Sequence, residues 1–259
     1  MQTFETLTLE TRDSIARVTF ARPKDTNAFS RKMTLELLDV CRRITEDGFS
    51  REPRIGALIL TGGTGRSFSV GGDFHDVSRL AEEDEIRRYL GEIIDLYVAI
   101  LRIGVPVVAA VDRFAIGQGL QVALMADWRI GSTNCQLQMP ELKNGVACPL
   151  GSIILEHLFG RAKMLELVLD CELLDAKASR TLGLLNAITD PEELQAAAFE
   201  QARRLQSYPR TSFVATKRIH NQRFIDAIES VREGSSRAHV EAFLRKTGKK
   251  HFDTVLGRV

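Results

Sequence analysis

Residues Pro106–Ile130 read PVVAAVDRFAIGQGLQVALMADWRI. The first six, Pro106–Val111, form an unbroken apolar run, the pattern of a strand buried on both faces. Asp112 and Arg113 end it. Ala115–Gln121, AIGQGLQ, then sets two glycines before an apolar segment, Leu120–Ala126, that reads as a helix. In that setting the backbone N–H groups near Gln118 sit at the positive end of the helix. Glycine lets a backbone approach a ligand closely, so this strand–turn–helix unit is a candidate binding element.

Working outward, the same alternation recurs. Ser14–Ala21 reads as a strand, and Pro23–Asn27 as a turn. Ser30 is an N-cap candidate for a helix running to Gly48, with Met33, Leu37, Val40, Cys41 and Ile44 at helical spacing. Ile55–Leu60 is a second buried strand ending at Gly62-Gly63. A loop with a second glycine pair follows, Ser67–Asp76 (SFSVGGDFHD), and then a helix over Glu83–Arg102. The order strand–helix–strand–loop–helix–strand predicts parallel pairing with crossover helices. Beyond Gly151 the chain reads as mainly helical, with helix starts at Asp175 and at Asp190-Pro191. No linker or repeat divides it, so the expectation is one α/β domain over residues 1–259, with a helical C-terminal part from about residue 196.

Composition narrows the function classes. With 35 Lys+Arg against 34 Asp+Glu, the net charge is +1, which gives no electrostatic footprint for nucleic acid. Cys41, Cys135, Cys148 and Cys171 are widely spaced and make no CxxC pair, so they read as buried free thiols rather than a zinc or redox motif. His157, His220 and His251 share no metal-ligand spacing. The start, MQTFETLTLE, carries no signal-peptide pattern, and no apolar run approaches the roughly 20 residues that span a bilayer. A cytoplasmic protein without membrane contact is expected. GGTGRS at Gly62–Ser67 lacks the P-loop lysine, and no GxGxxG opens a helix.

Each glycine-rich turn alone is as well explained by ordinary chain reversal. If the two converge, their N–H donors form an oxyanion hole, where loss of one donor costs about 3–4 kcal/mol of transition-state stabilisation.

Taken together, SFSVGGDF, PVVAAVDRFAIGQGLQVALMADWRI and MPELKNGV resemble the crotonase (enoyl-CoA hydratase/isomerase) superfamily in order and spacing, from about residue 5 to the C-terminus. The resemblance implies a spiral of ββα units with a helical C-terminal region, assembled as trimers or pairs of trimers. It assigns the oxyanion donors to the N–H groups of Gly72 and Gln118, and contacts with CoA to the loop of Val70, Gly71, Gly72, Asp73 and Phe74. The stretches IIDLY, SYPRTSFVATKR, SSRAHVEAF and HFDTVLG are further similar to a branch found in carbapenem antibiotic pathways. That branch decarboxylates malonyl-CoA, joins the enolate to pyrroline-5-carboxylate and hydrolyses the thioester. Malonyl-CoA and pyrroline-5-carboxylate are then the implied partners, with no cofactor beyond the CoA thioester substrate and no metal. Members of that branch carry an apolar side chain where this chain has Gln118, so its amide is expected to bear on stereochemistry or substrate preference.

Four side chains carry the remaining chemistry. Glu141 matches a catalytic glutamate of the family and could activate water at a thioester or orient an imine; outside the motif it would read as a surface residue beside a turn. Gln121 stands where hydratases with two carboxylates place a glutamate. An amide cannot exchange a proton near neutral pH, which disfavours hydration and suits an enolate formed by loss of CO2. Its plain reading is a solvated helix N-terminus. His239 is either a satisfied core histidine or, by resemblance, a group that binds the amino-acid partner. Tyr89 is an aromatic pocket wall or core. His75 has no implied role. The rival functions are an enoyl-CoA isomerase using Glu141 alone, a decarboxylase of carrier-bound acyl groups, and a binding protein with a decayed site. Intact Gly71, Gly72, Gly117, Gly119 and Glu141 argue against the last.

Overall fold

A computed structural model describes residues 2–47, 54–245, 252, 253 and 257. The chain runs β1 (Gln2–Thr3), β2 (Leu7–Arg12), β3 (Ile15–Phe20), α1 (Arg31–Asp47), β4 (Ala57–Thr61), α2 (Phe74–Val77), α3 (Glu83–Arg102), β5 (Val107–Val111), β6 (Phe114–Ile116) and α4 (Gln118–Leu124). It continues through β7 (Trp128–Ser132), β8 (Gln136–Gln138), α5 (Pro149–Phe159), α6 (Arg161–Asp170), β9 (Leu174–Asp175), α7 (Ala176–Thr181), β10 (Ala187–Thr189), α8 (Leu194–Gln206), α9 (Arg210–Ser230) and α10 (Arg232–Leu244). Among the described residues the main sheet has the order β1-β2-β3-β4-β5-β7-β10 and a second has β6-β8-β9. From β3 to β10 the main sheet is parallel, as expected from the crossover pattern.

Alternation along β4 and β5 sorts the core into two layers. Leu58, Leu60, Val107, Ala109 and Val111 face the layer of α1 and α3. Ala57, Ile59, Val108 and Ala110 face Leu194, Ala198, Ala202 and Leu205 of α8. Both strands are buried along their whole length, which is why they read as continuous apolar runs. Ser30 caps α1 as expected, its Oγ accepting from Met33 N at 3.2 Å. The helix is described to Asp47, and Gly48 lies outside the described residues, as does His251. All four cysteines are buried and free. No described helix is long and apolar enough to cross a membrane.

One sequence expectation needs correction and two need extension. The expected strand at Ile15–Phe20 pairs parallel with β4, but it also forms an antiparallel hairpin with β2, a strand absent from the sequence reading. Its two-residue turn, Asp13-Ser14, has φ of 51° and 63°, the primed geometry usually signalled by glycine or asparagine, and neither is present. Asp190-Pro191 does not begin a helix: it opens a turn, Glu193 N donating to Asp190 O at 3.0 Å, and α8 starts at Leu194. The region after Gly151 also contains β9 and β10, too short to show a period. Asp175 does start α7, accepting from Ala178 N at 2.7 Å.

Candidate active site

The turn after β4 is fastened on two sides. Ser69 forms a parallel bridge to Ala115 of β6, and Gly72 one to Phe29. In the second bridge Phe29 N donates to Gly71 O at 2.7 Å and Asp73 N donates to Phe29 O at 3.0 Å. The turn before α4 is held by Gly117 N, which donates to Gln138 O of β8 at 2.9 Å. Two glycines let these turns touch. Gly71 has φ +98°, and a Cβ there would lie 2.9 Å from Ile116 O; a Cβ on Gly119 would lie 2.5 Å from Ser69 O. Backbone therefore packs on backbone, and any side chain at either position would force the turns apart.

The pairing leaves two donors unused. Among the described residues, neither the N–H of Gly72 nor that of Gln118 donates to a protein acceptor. Gly72 escapes because the parallel bridge engages its neighbours, and Gln118 because the first residue of a helix has no preceding turn to bond. Both residues line one cavity of about 430 Å³. Backbone N–H groups away from bulk water are rarely left unpaired, and two unpaired ones lining the same cavity mark a place for an external acceptor.

Side chains complete the site. Glu141 sits in the turn after Pro140, closed by Val146 N donating to Glu141 O at 2.9 Å. Gln121 Nε2 donates to Glu141 Oε1 at 2.7 Å, and Tyr97 Oη donates to Gln121 Oε1 at 2.8 Å. Burial raises the pKa of the Tyr97 phenol well above its usual value, keeping it a donor. Burial likewise pushes the Glu141 carboxyl up to about 7; hydrogen bonds from its backbone, Cys148 and Gln121 offset only part of that. Glu141 Oε2 is buried with no partner. The result is a carboxyl poised to gain or lose a proton near neutral pH, with Oε1 anchored by Gln121 and Oε2 unpartnered among the described residues.

His239 of α10 lines the same cavity. Its Nδ1 donates to Ser235 O at 2.8 Å, and burial lowers its pKa, so neutral imidazole leaves Nε2 as the free atom. Phe252 stacks on Phe74 at 4.8 Å between ring centroids and meets Phe243 edge-on at 6.4 Å, giving an aromatic wall.

Of the sequence candidates, Val70, Gly71, Gly72, Phe74, Gln118, Gln121, Glu141 and His239 meet at this cavity. Asp73 does not line it. Its carboxylate accepts from Arg22 Nη2 at 2.7 Å and from His75 N at 2.8 Å, capping α2 and fixing the turn instead. Gln121 is not solvated, as its plain reading would have it, but 6% exposed and doubly bonded. Tyr89 lines the cavity beside Gly72. Sequence reasoning missed Tyr97 and Phe252 as site residues. The spacing of Tyr89, Ile93 and Tyr97, every fourth residue on α3, was the available signal for the first; nothing local marks the second. Among the described residues no group of three or more His, Cys, Asp or Glu is placed to hold a metal ion.

Residues 10–254 match the family model for enoyl-CoA hydratase/isomerase. The chain is 37% identical over 249 residues to carboxymethylproline synthase of Pectobacterium carotovorum subsp. carotovorum, covering 96% of this chain and 98% of that one. Among solved structures it is similar to ThnE from S. clavuligerus, with TM-score 0.77 and 30% identity over 90% of this chain and 100% of the other. An enoyl-CoA hydratase/isomerase from Mycobacterium paratuberculosis shares the fold at TM-score 0.85 and 23% identity, covering 96% and 100%. A family match over residues 10–254, nearly the whole chain, establishes that this protein belongs to the enoyl-CoA hydratase/isomerase (crotonase) family.

Proposed function

We propose that the protein is a carboxymethylproline synthase: it decarboxylates malonyl-CoA, joins the enolate to pyrroline-5-carboxylate, and hydrolyses the product thioester. One observation carries the reading. The unclaimed N–H groups of Gly72 and Gln118 face a cavity whose one carboxylate among the described lining residues, Glu141, is bonded to an amide rather than to a second acid.

The thioester oxygen of malonyl-CoA accepts from the two N–H groups. The bond from the α-carbon to the carboxylate breaks, CO2 leaves, and the electron pair passes through the α-carbon onto that oxygen. Preorganised donors stabilise this charge without reorganising. The α-carbon then bonds to the C=N carbon of the protonated imine, whose nitrogen takes the electron pair. Confinement beside the imine favours this step over protonation of the enolate. His239 borders the cavity where the carboxylate of the imine partner is received, and that charge favours the imidazolium. Glu141 finally takes a proton from water as it attacks the thioester carbonyl and the CoA thiolate departs. Gln121, gripped by Tyr97, holds Glu141 in position. The likeness to carboxymethylproline synthase over 96% of the chain supports the substrate assignment.

Incubation of the pure protein with malonyl-CoA and pyrroline-5-carboxylate, followed by mass spectrometry, tests the reading. Carboxymethylproline and free CoA are expected. Acetyl-CoA as the sole product would reject the synthase step while keeping the decarboxylation. The pKa of Glu141 near 7 also suits a single-carboxylate isomerase, and turnover of a 3-enoyl-CoA with no consumption of malonyl-CoA would favour that function instead.

A further inference from the structure

Gln118 contributes more than its backbone. Its side chain lines the cavity, the residue is 8% exposed, and Nε2 is buried without a hydrogen-bond partner among the described residues. A Cβ built on Gly72 would fall 3.5 Å from Gln118 Oε1 and 3.3 Å from Tyr89 Oη, so the amide lies over the turn that supplies the other backbone donor. A buried amide donor with nothing to bond is costly, and this one belongs to a side chain that lines the same cavity as the two backbone donors.

A thioester oxygen has two lone pairs near the carbonyl plane, and the N–H groups of Gly72 and Gln118 match both. A third donor beside them is therefore available to a group on the next atom, the α-carbon. In malonyl-CoA that group is the carboxylate. A neutral amide suits a carboxylate that must depart. A cationic donor would add a direct charge–charge attraction and oppose the movement of charge from carboxylate to thioester oxygen on which the reaction depends.

Resting on the malonyl-CoA reading above, we propose that the side-chain amide of Gln118 binds the carboxylate of the acyl group. It thereby orients the bond to be broken and makes this chain select malonyl-CoA over acyl-CoAs that lack a second carboxylate. Gln118 is on this account a specificity residue through its side chain and an oxyanion donor through its backbone, and the two roles separate by mutation.

The test compares KM and kcat for malonyl-CoA with the inhibition constant of acetyl-CoA in the wild-type protein, Gln118→Met (similar length, no donor) and Gln118→Glu (same shape, no amide donor). In Gln118→Met the ratio of malonyl-CoA KM to acetyl-CoA inhibition constant should rise at least about tenfold, the worth of one hydrogen bond to a charged acceptor, and further in Gln118→Glu. An equal weakening of both ligands, as a packing defect would give, overturns the proposal, and so does an unchanged ratio. If the wild type fails to consume malonyl-CoA, the functional reading falls. Direct titration then decides the amide's role: a preference for malonyl-CoA over acetyl-CoA that Gln118→Met abolishes supports it, and no preference in the wild type overturns it.

Discussion

Replacing Glu141 with glutamine should make the protein more stable and stop thioester hydrolysis, and the stability gain should depend on pH in a way the structure fixes. Burial raises the Glu141 pKa from the usual 4.5 to about 7. Well below pH 4.5 the carboxyl is protonated in both folded and unfolded chains. Between 4.5 and about 7 the unfolded chain has released the proton and the folded chain keeps it, so rising pH favours unfolding. Above 7 both are ionised and the penalty is complete. At about 1.4 kcal/mol per unit of pKa, the penalty is about 1 kcal/mol at pH 5 and about 3 kcal/mol at pH 8. Glutamine has no charge to desolvate, and its carbonyl can still accept from Gln121 Nε2. Urea denaturation of wild type and Glu141→Gln at one protein concentration should therefore show a difference that widens by about 2 kcal/mol from pH 5 to pH 8. A difference equal at both pH values would refute the claim that this carboxyl is held out of water.

Other perturbations probe the remaining parts. Tyr97→Phe leaves Gln121 Oε1 buried without its donor; a stability loss of about 1–3 kcal/mol and slower thioester hydrolysis should follow, read by calorimetry and by CoA release. Gly119→Ala places a methyl 2.5 Å from Ser69 O and 2.8 Å from Ser69 Cβ, so thermal unfolding should show a cost of about 1–3 kcal/mol or more, and decarboxylation should fall with it. Because hydrolysis needs ionised Glu141, its rate should climb with pH through about 7, and a rate flat across that range would remove Glu141 from the step. His239→Ala should raise the KM for pyrroline-5-carboxylate far more than that for malonyl-CoA in steady-state assays; equal effects would mean that it merely shapes the pocket.

The parts of this molecule that could be read in its sequence are those where one local rule acts alone. β4 and β5 are buried on both faces and so lack any polar alternation that could disguise them. Ser30 and Asp175 cap their helices with no competing partner. The β2–β3 hairpin escaped notice because Asp13-Ser14 adopts left-handed backbone without the residues that advertise it. The site was legible in its two glycine pairs and in Glu141, but only once they were taken together. What joins them is the bridge from Ser69 to Ala115, a pairing 46 residues apart in sequence that no local pattern reports. Asp73 shows the opposite limit: its place in the motif suggested a ligand contact, whereas Arg22, 51 residues away, claims its carboxylate. Tyr97 carries no mark of its own, since a tyrosine on the buried face of an amphipathic helix looks the same whether its hydroxyl is idle or holds a catalytic pair.

The most direct measurement of the central claim is a crystal structure with a malonyl-CoA analogue whose carboxylate is replaced by a sulfonate, so that no CO2 can be lost. The account predicts its carbonyl oxygen about 2.7–3.1 Å from both Gly72 N and Gln118 N. A carbonyl oxygen seated on Glu141 or His239, with those two N–H groups facing water, would contradict it.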